Sequence, residues 1–227
     1  MDLPTTPIRI IRCESGEPVG DILLELADGA LLFIEVKRSI RLSEGRFADL
    51  VEQLIKQFIA CEQSLSNDSK PWRRPLRSGI DRLQIITSSE SPEAVRKHLA
   101  ACLDRIGPAA EPTELLGVAK NNAEDNASTL LKSLVAADWK DLLGEQLSDS
   151  QLIRFASLVR IGTADTNSNE ADEAHALRTI GTSILESNES SSAGWSGLID
   201  IAAQAAQTRE PLSRDALLTQ FDVLDFR

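Results

Sequence analysis

The chain has 227 residues, 42% hydrophobic and 26% charged, with a formal net charge of −11. That length allows one large domain or two small ones with a substantial core, and no apolar run approaches a bilayer span. The opening residues 1–7 lack the basic start and apolar centre of a signal peptide, so a cytoplasmic location with no membrane partner is expected, while Cys13, Cys61 and Cys102, without C-x-x-C spacing, argue against a disulfide framework or a zinc site.

The first patterned segment reads as a β-hairpin, with Gly20 to Leu26 as one strand, a tip at Ala27-Asp28-Gly29, and Ala30 to Lys37 as the other. Strand side chains alternate faces, so the loop length fixes every face assignment. A two-residue loop would set Asp21 opposite Val36 and thread Glu35 into the apolar layer between Ile22 and Leu24. A three-residue loop, with Gly29 left-handed and a bulge, sets Asp21 opposite Glu35. Asp21, Glu35 and Lys37 then share one face, and the other carries Ile22, Leu24, Leu26, Ala30, Leu32, Ile34 and Val36 without a polar interruption. Burying an unpaired carboxylate costs several kcal/mol, so the hydrophobic pattern selects the longer loop.

Next come an amphipathic stretch from Arg46 to Gln63, with Phe47, Leu50, Val51, Leu54, Ile55, Phe58 and Ile59 at helical spacing, and a short buried strand, Leu83 to Thr87. Ser91-Pro92-Glu93 reads as a helix start with Ser91 as cap, leading through Ala94 to Ile106 and a stop at Gly107-Pro108. Beyond Pro112 the pattern is helical throughout, over residues 114–120, 128–137, 139–147, 149–161, 170–187, 195–207 and 213–221, with Trp139, Trp195 and Phe221 as core anchors. No strand signal returns after Thr87. The expected division is an α/β domain over 1–108 and an acidic, all-helical region over 109–227.

The order Asp strand, Glu-x-Lys strand, helix, strand resembles the PD-(D/E)XK nuclease superfamily over about residues 8 to 105. More narrowly, the phrases Gly20 to Leu24, Phe33 to Ser39 and Trp195 to Ile199 are similar to the double-stranded-DNA nuclease effectors of bacterial antiphage defence proteins. The resemblance implies a restriction-endonuclease-like mixed sheet flanked by helices and a metal-dependent DNA endonuclease acting in defence. Under it, Asp21 and Glu35 with the Val36 carbonyl would bind Mg²⁺ or Mn²⁺, and Lys37 would orient or deprotonate the attacking water. Gln57, ahead of Gln53, would be the polar helix residue touching the site. Family members open with a helix that often adds a carboxylate; here the hairpin follows closely on Met1, with Glu14 and Glu17 as possible substitutes but more simply solvated loop residues. No G-x-x-x-x-G-K-[ST] loop occurs, so a regulatory or NTPase partner would lie outside this chain. The alternative reading is a catalytically inactive nuclease-like interaction or assembly module, as a homo-oligomer or with other partners.

A duplex needs Lys and Arg opposite its phosphates, which the net charge does not favour. Yet the acidity belongs to residues 101–227, where 10 Lys/Arg meet 20 Asp/Glu; over residues 1–100 the two nearly balance, 14 against 15. Arg38, Arg41 and Arg46 follow Lys37, and Lys70, Trp72, Arg73, Arg74 and Arg77 form a dense basic loop around an aromatic. These are the expected nucleic-acid contacts, with a solvated connection as the equal alternative for the loop.

Overall fold

The hairpin forms with the longer of its two possible loops. A computed structural model describes residues 6–43, 45–63, 70–106, 115–165, 171–183 and 190–223. Among them, β1 (Ile8–Cys13), β2 (Ile22–Leu26), β3 (Leu31–Lys37), β4 (Arg82–Thr87), β5 (Val159–Thr163) and β6 (Leu212–Ser213) make one mixed sheet in the order β5-β4-β3-β2-β1-β6. Within β2–β3, Ile22 pairs with Ile34 and Leu24 with Leu32, the register that places Asp21 across from Glu35. The Leu26 N–H donates to Ala30 O at 2.9 Å and the Gly29 N–H to Leu26 O at 3.0 Å, with Gly29 at φ +76°. Leu26 therefore opposes two residues, which is the expected bulge, and the third loop residue sits in the left-handed region where a side chain is strained.

After β3 the chain crosses over through α1 (Gly45–Glu62) and returns as β4, parallel to β3. A parallel neighbour requires such a crossover, and the helix forms because Phe47, Leu50, Val51, Leu54, Ile55 and Phe58 recur on one face and are all buried. They pack on Leu23, Phe33, Leu83 and Ile85 from the sheet. Then follow a π-helical segment (Ala94–Leu99), α2 (Ala100–Ile106), a 3-10 turn (Leu115–Val118), α3 (Asn122–Leu143) and α4 (Asp149–Leu158). Phe58 joins these layers, its ring centroid 6.1 Å from Trp139 on α3 and 5.7 Å, edge-on, from Phe155 on α4. The second sheet face carries Leu24, Leu26, Leu32, Ile34 and Ile86. Three further helices, α5 (Ala171–Ser183), α6 (Ser191–Thr208) and α7 (Arg214–Val223), complete the described chain. Ile201 and Ala205 of α6 and Leu212 of β6 pack with Ile11 and Cys13 of β1. No helix among the described residues is long and apolar enough to cross a membrane.

Several expectations change. The region after residue 108 is not all-helical: the stretch read as one helix over 149–161 ends at Leu158 and continues as β5, parallel to β4, and β6 pairs with β1. The sheet and its main core thus draw residues from both sides of the expected boundary at 108. The helices read at 128–137 and 139–147 are one, α3, capped by Asn121, whose side chain accepts from the Glu124 N–H, and stopped by left-handed Gly144. Ser91 caps nothing with its side chain; its hydroxyl meets Thr87 Oγ1 at 2.6 Å and accepts from the Ile40 N–H at 2.8 Å. Trp139 is buried and Trp195 half-buried, while the Gly107-Pro108 stop and the Phe221 side chain lie outside the described residues.

The basic loop is tied to the hairpin through Asp81, just ahead of β4. This buried carboxylate accepts from the Leu31 N–H at 2.9 Å, from Arg74 Nη1 and Nη2 at 2.7 and 2.9 Å, and from the Arg77 N–H at 2.6 Å. Arg74 and Arg77 also donate to Gly29 O, at 2.8 and 2.7 Å. Removing one member of a buried ion network strands the others without partners. Asp81→Ala is accordingly expected to lower the unfolding free energy by about 3 kcal/mol, read from urea denaturation. A loss under about 1 kcal/mol would mean the network holds nothing together.

Candidate active site

Asp21, Glu35 and Lys37 converge at the end of the hairpin, on the sheet face covered by α1. Glu35 sits on β3 in parallel register with Ile85, and Lys37 with Thr87; two residues apart on one strand, their side chains share a face. Lys37 Nζ donates to Glu35 Oε1 and lies 3.9 Å from Asp21 Oδ2. Asp21 also accepts from the Val36 N–H, through Oδ2 at 2.7 Å. Glu35 is buried, at 4% exposure, while Asp21 and Lys37 are partly open to solvent. Two carboxylates from neighbouring strands are thus gathered on one ammonium at the edge of the core.

Beyond Lys37 a cleft of about 370 Å³ opens between the end of β3 and the first turns of α1, lined by Lys37, Arg38, Ser39, Arg46, Asp49 and Gln53 among others. Its wall is held by the Ser91 brace and by Ser88, whose hydroxyl donates to Arg38 O at 2.6 Å. Arg38 is exposed and doubly bonded to Glu90, with Nη2 to Oε1 at 2.9 Å; that pairing raises its pKa further. Arg46 opens into the cleft, and Arg41 is exposed beside it in sequence.

Gln57 does not join the trio. Fully buried, its amide must find partners inside: Oε1 accepts from the Val19 N–H at 3.3 Å, and Nε2 faces Glu17 Oε2 at 3.5 Å and Cys61 Sγ at 3.4 Å. One turn earlier, Gln53 is the glutamine that reaches the cleft. Asp49 lines it too and was not singled out from the sequence, although it lies four residues before Gln53 on the same helical face.

The cations of the basic loop are paired with the protein's own carboxylates, Arg77 from an exposed position. Glu17 is buried, not solvated: Lys70 Nζ and Trp72 Nε1 donate to its Oε1 at 2.6 and 3.2 Å, and Arg73 Nε to its Oε2 at 3.1 Å. Trp72 lies under the Arg12 guanidinium, 4.4 Å from ring centroid to Arg12 Cζ, and Arg74 and Arg77 are bound to Asp81. The five expected phosphate contacts are thus engaged in ion pairs or packing, with the Lys70, Arg73, Arg74 and Arg77 side chains still 29–43% exposed. Glu14 is an exposed loop residue whose N–H donates to Asp21 O at 3.0 Å.

Oxygen ligands are what a hard divalent ion takes. Asp21 and Glu35 offer oxygen donors, and no group of three or more His, Cys, Asp or Glu able to hold a metal is found among the described residues. Asp21 Oδ2 is engaged by the Val36 N–H and Lys37, and Glu35 Oε1 by Lys37; Mg²⁺ bound through one or two carboxylates keeps several waters. The Val36 carbonyl follows the same geometry: N–H and C=O of one residue on an extended strand point to the same neighbour, and this N–H points at Asp21. Comparison with known proteins returns no match, whether among family models, curated proteins or solved structures.

Burial alone would raise the pKa of Glu17, but the bonds from Lys70, Arg73 and Trp72 outweigh it and hold the carboxyl below its ordinary 4.5. A depressed carboxylate stabilises the fold above its unfolded pKa and loses that contribution as pH falls through the folded value. The stability gap between the native chain and Glu17→Gln is therefore expected to be about 2 kcal/mol at pH 7 and to shrink below pH 4.5. Denaturation at stepped pH measures it, and a gap independent of pH would show that Glu17 carries no charge in the folded state.

Proposed function

We propose that this chain is a metal-dependent DNA endonuclease with a restriction-endonuclease-like core, acting on double-stranded DNA as a bacterial antiphage effector. The observation that carries the reading is the approach of Asp21 and Glu35 to Lys37 from adjacent strands, in the register the hairpin pattern selects. The resemblance to PD-(D/E)XK nucleases in the motif Asp21, Glu35-x-Lys37 supports it, as does the strand, helix, strand order that follows.

Mg²⁺ or Mn²⁺ held by Asp21, Glu35 and the Val36 carbonyl would supply charge neutralisation for the phosphorane-like transition state. The protein's own contribution is positional. Glu35, buried and fixed by β3, anchors Lys37 Nζ in the open half of the site. A water hydrogen-bonded to that nitrogen is oriented toward a phosphate arriving from the cleft, and in its neutral amine form Lys37 takes that water's proton. Arg46, on the cleft wall, meets the substrate's anionic oxygens, with Arg41 next to the mouth in sequence. The loop of residues 70–77 shapes the scaffold and leaves duplex contact to residues 37–46. Activation by a regulator or by assembly of copies suits an effector that must stay silent in an uninfected cell.

Plasmid nicking with Mg²⁺ or Mn²⁺, and none with EDTA, is the expected result, with Lys37→Ala at least about 10²-fold slower and Arg73→Ala near native in rate but less stable. Equal behaviour of native protein, Lys37→Ala and the EDTA control would leave an inactive nuclease-like interaction module, in which the Lys37–Glu35 contact is a structural ion pair.

A further inference from the structure

A second polar cleft, of about 380 Å³, opens at the β4–β5 end of the sheet between Arg82, Gln84, Asp104, Arg160, Gly162 and Thr163. Its place follows from side-chain alternation. Leu83 and Ile85 face the core that α1 covers, as Glu35 does, so Arg82 and Gln84 project from the opposite face with Ile86. Arg160 pairs with Gln84 in parallel register and starts from that same face. A phosphate held at the Asp21–Glu35–Lys37 trio therefore does not fill this cleft.

Its charge is locally positive, with two arginines to one aspartate in the lining. Several arginines elsewhere meet carboxylates at hydrogen-bond distance, Arg73 with Glu17, Arg74 and Arg77 with Asp81, Arg105 with Glu124 and Arg154 with Glu62, while half-buried Arg96 donates to the Ser91 carbonyl. Here two guanidinium groups line one space. Arg160 has a side chain only 16% exposed and donates to the carbonyls of Val159 and Leu103 at 2.6 and 3.3 Å. Its carboxylate partner Asp104 is largely exposed and 3.8 Å away, at the limit of ion pairing. Arg82 makes no hydrogen bond or ion pair among the described residues, and its charge bears on Arg160, whose pKa is lowered by burial and by that repulsion against the pull of Asp104.

Like charges held together in a partly desolvated space are unfavourable until a counter-charge arrives. Guanidinium forks match the oxygens of a phosphate in pairs, and the volume falls in the range of small-ligand sites, roughly 300–1,000 Å³. From these we infer that the cleft is an oxyanion site receiving the phosphate group of a small ligand, on the face of the sheet opposite the hydrolytic trio. Its lining suits one phosphate better than a polyanion, because the Asp104 carboxylate stands in it, 3.8 Å from Arg160. The inference is independent of the nuclease reading.

Thermal unfolding of the full chain against inorganic phosphate, AMP and ATP, at ionic strength fixed with NaCl, tests it. Each phosphate compound is expected to raise the unfolding temperature more than chloride does. Arg82→Gln should weaken the phosphate response at least tenfold while unfolding without phosphate at the native temperature or above, because it removes a repulsion and no bond. Arg82→Lys should keep part of the response. In the unaltered protein, an NMR phosphate titration should move the Gly162 and Thr163 amides and leave that of Val36 in place. A response equal to that of chloride, one unchanged by Arg82→Gln, or shifts confined to Val36 would overturn the assignment. An Arg82-dependent response to duplex DNA alone would do the same, by giving the cleft to a nucleic-acid backbone.

Discussion

Whether a β-hairpin turns in two residues or three decides which face every later side chain occupies, and here the added residue is Gly29. Its left-handed backbone closes the loop so that Leu26 faces both Gly29 and Ala30. From that point the pairing Ile22 with Ile34 is forced, and with it the approach of Asp21 to the Val36 N–H and to Lys37. A loop one residue shorter would have turned Glu35 into the layer of Leu24, Leu32 and Ile34, where a carboxylate has no partner. The apolar face and the acidic trio are thus two consequences of one turn. Arg74 and Arg77 fix that turn by donating to the Gly29 carbonyl, which connects the loop before β4 to the position of the site.

Buried carboxylates of the first half are met by donors, several at a time for Glu17, Glu25 and Asp81. Glu17 is gripped by Lys70, Trp72 and Arg73, and Asp81 by Arg74, Arg77 and the Leu31 N–H. Glu124 does the same further on, where the Arg105 bonds and the Lys120 N–H bring its pKa to about 2. A run of cations in the sequence therefore need not be a surface for phosphate. In residues 70–77 most of the charge is spent on the protein's own acids, which leaves a narrow basic margin beside the trio. If that margin is all that meets a duplex, few counterions are released on binding and the affinity depends only moderately on salt.

The hairpin, its register, α1 and β4 were legible in the sequence because each has a period that a single alternative spoils: Glu35 in the apolar layer for the hairpin, a seven-residue apolar stripe for the helix. β1 was missed although Ile8, Ile10 and Ile11 interleaved with Arg9 and Arg12 offered a partial alternation; the bulge between Ile8 and Ile10 interrupts its period. β5 was hidden for a different reason. Leu152, Phe155, Ala156, Val159 keep helical spacing across the point where the helix ends, so only β-branched Val159 and Ile161 signalled the change, and only pairing with Leu83 to Thr87 makes those five residues a strand. The roles of Gln57 and Ser91 depend on contacts 38 and 51 residues away, with Val19 and Ile40, which no local pattern contains.

These long-range pairings also change what the acidic second half is. Read as a string of helices, it could have been a detachable regulator lying beside a complete catalytic domain. With β5 hydrogen-bonded to β4 and β6 to β1, and with Phe155, Leu158 and Val159 in the same core as Phe33 and Phe58, it supplies both edges of the sheet and part of its main core. Removing it would expose the outer edge of β4 and empty that part of the core, so its influence on the site runs through packing rather than through a displaceable acidic arm. β4 lies between the trio and the second cleft: Ile85 stands beside Glu35 on one face, and the adjoining Gln84 lines the Arg82–Arg160 cleft on the other. A strand so placed cannot shift its pairing with β5 without disturbing its pairing with β3, since one peptide chain carries both sets of bonds.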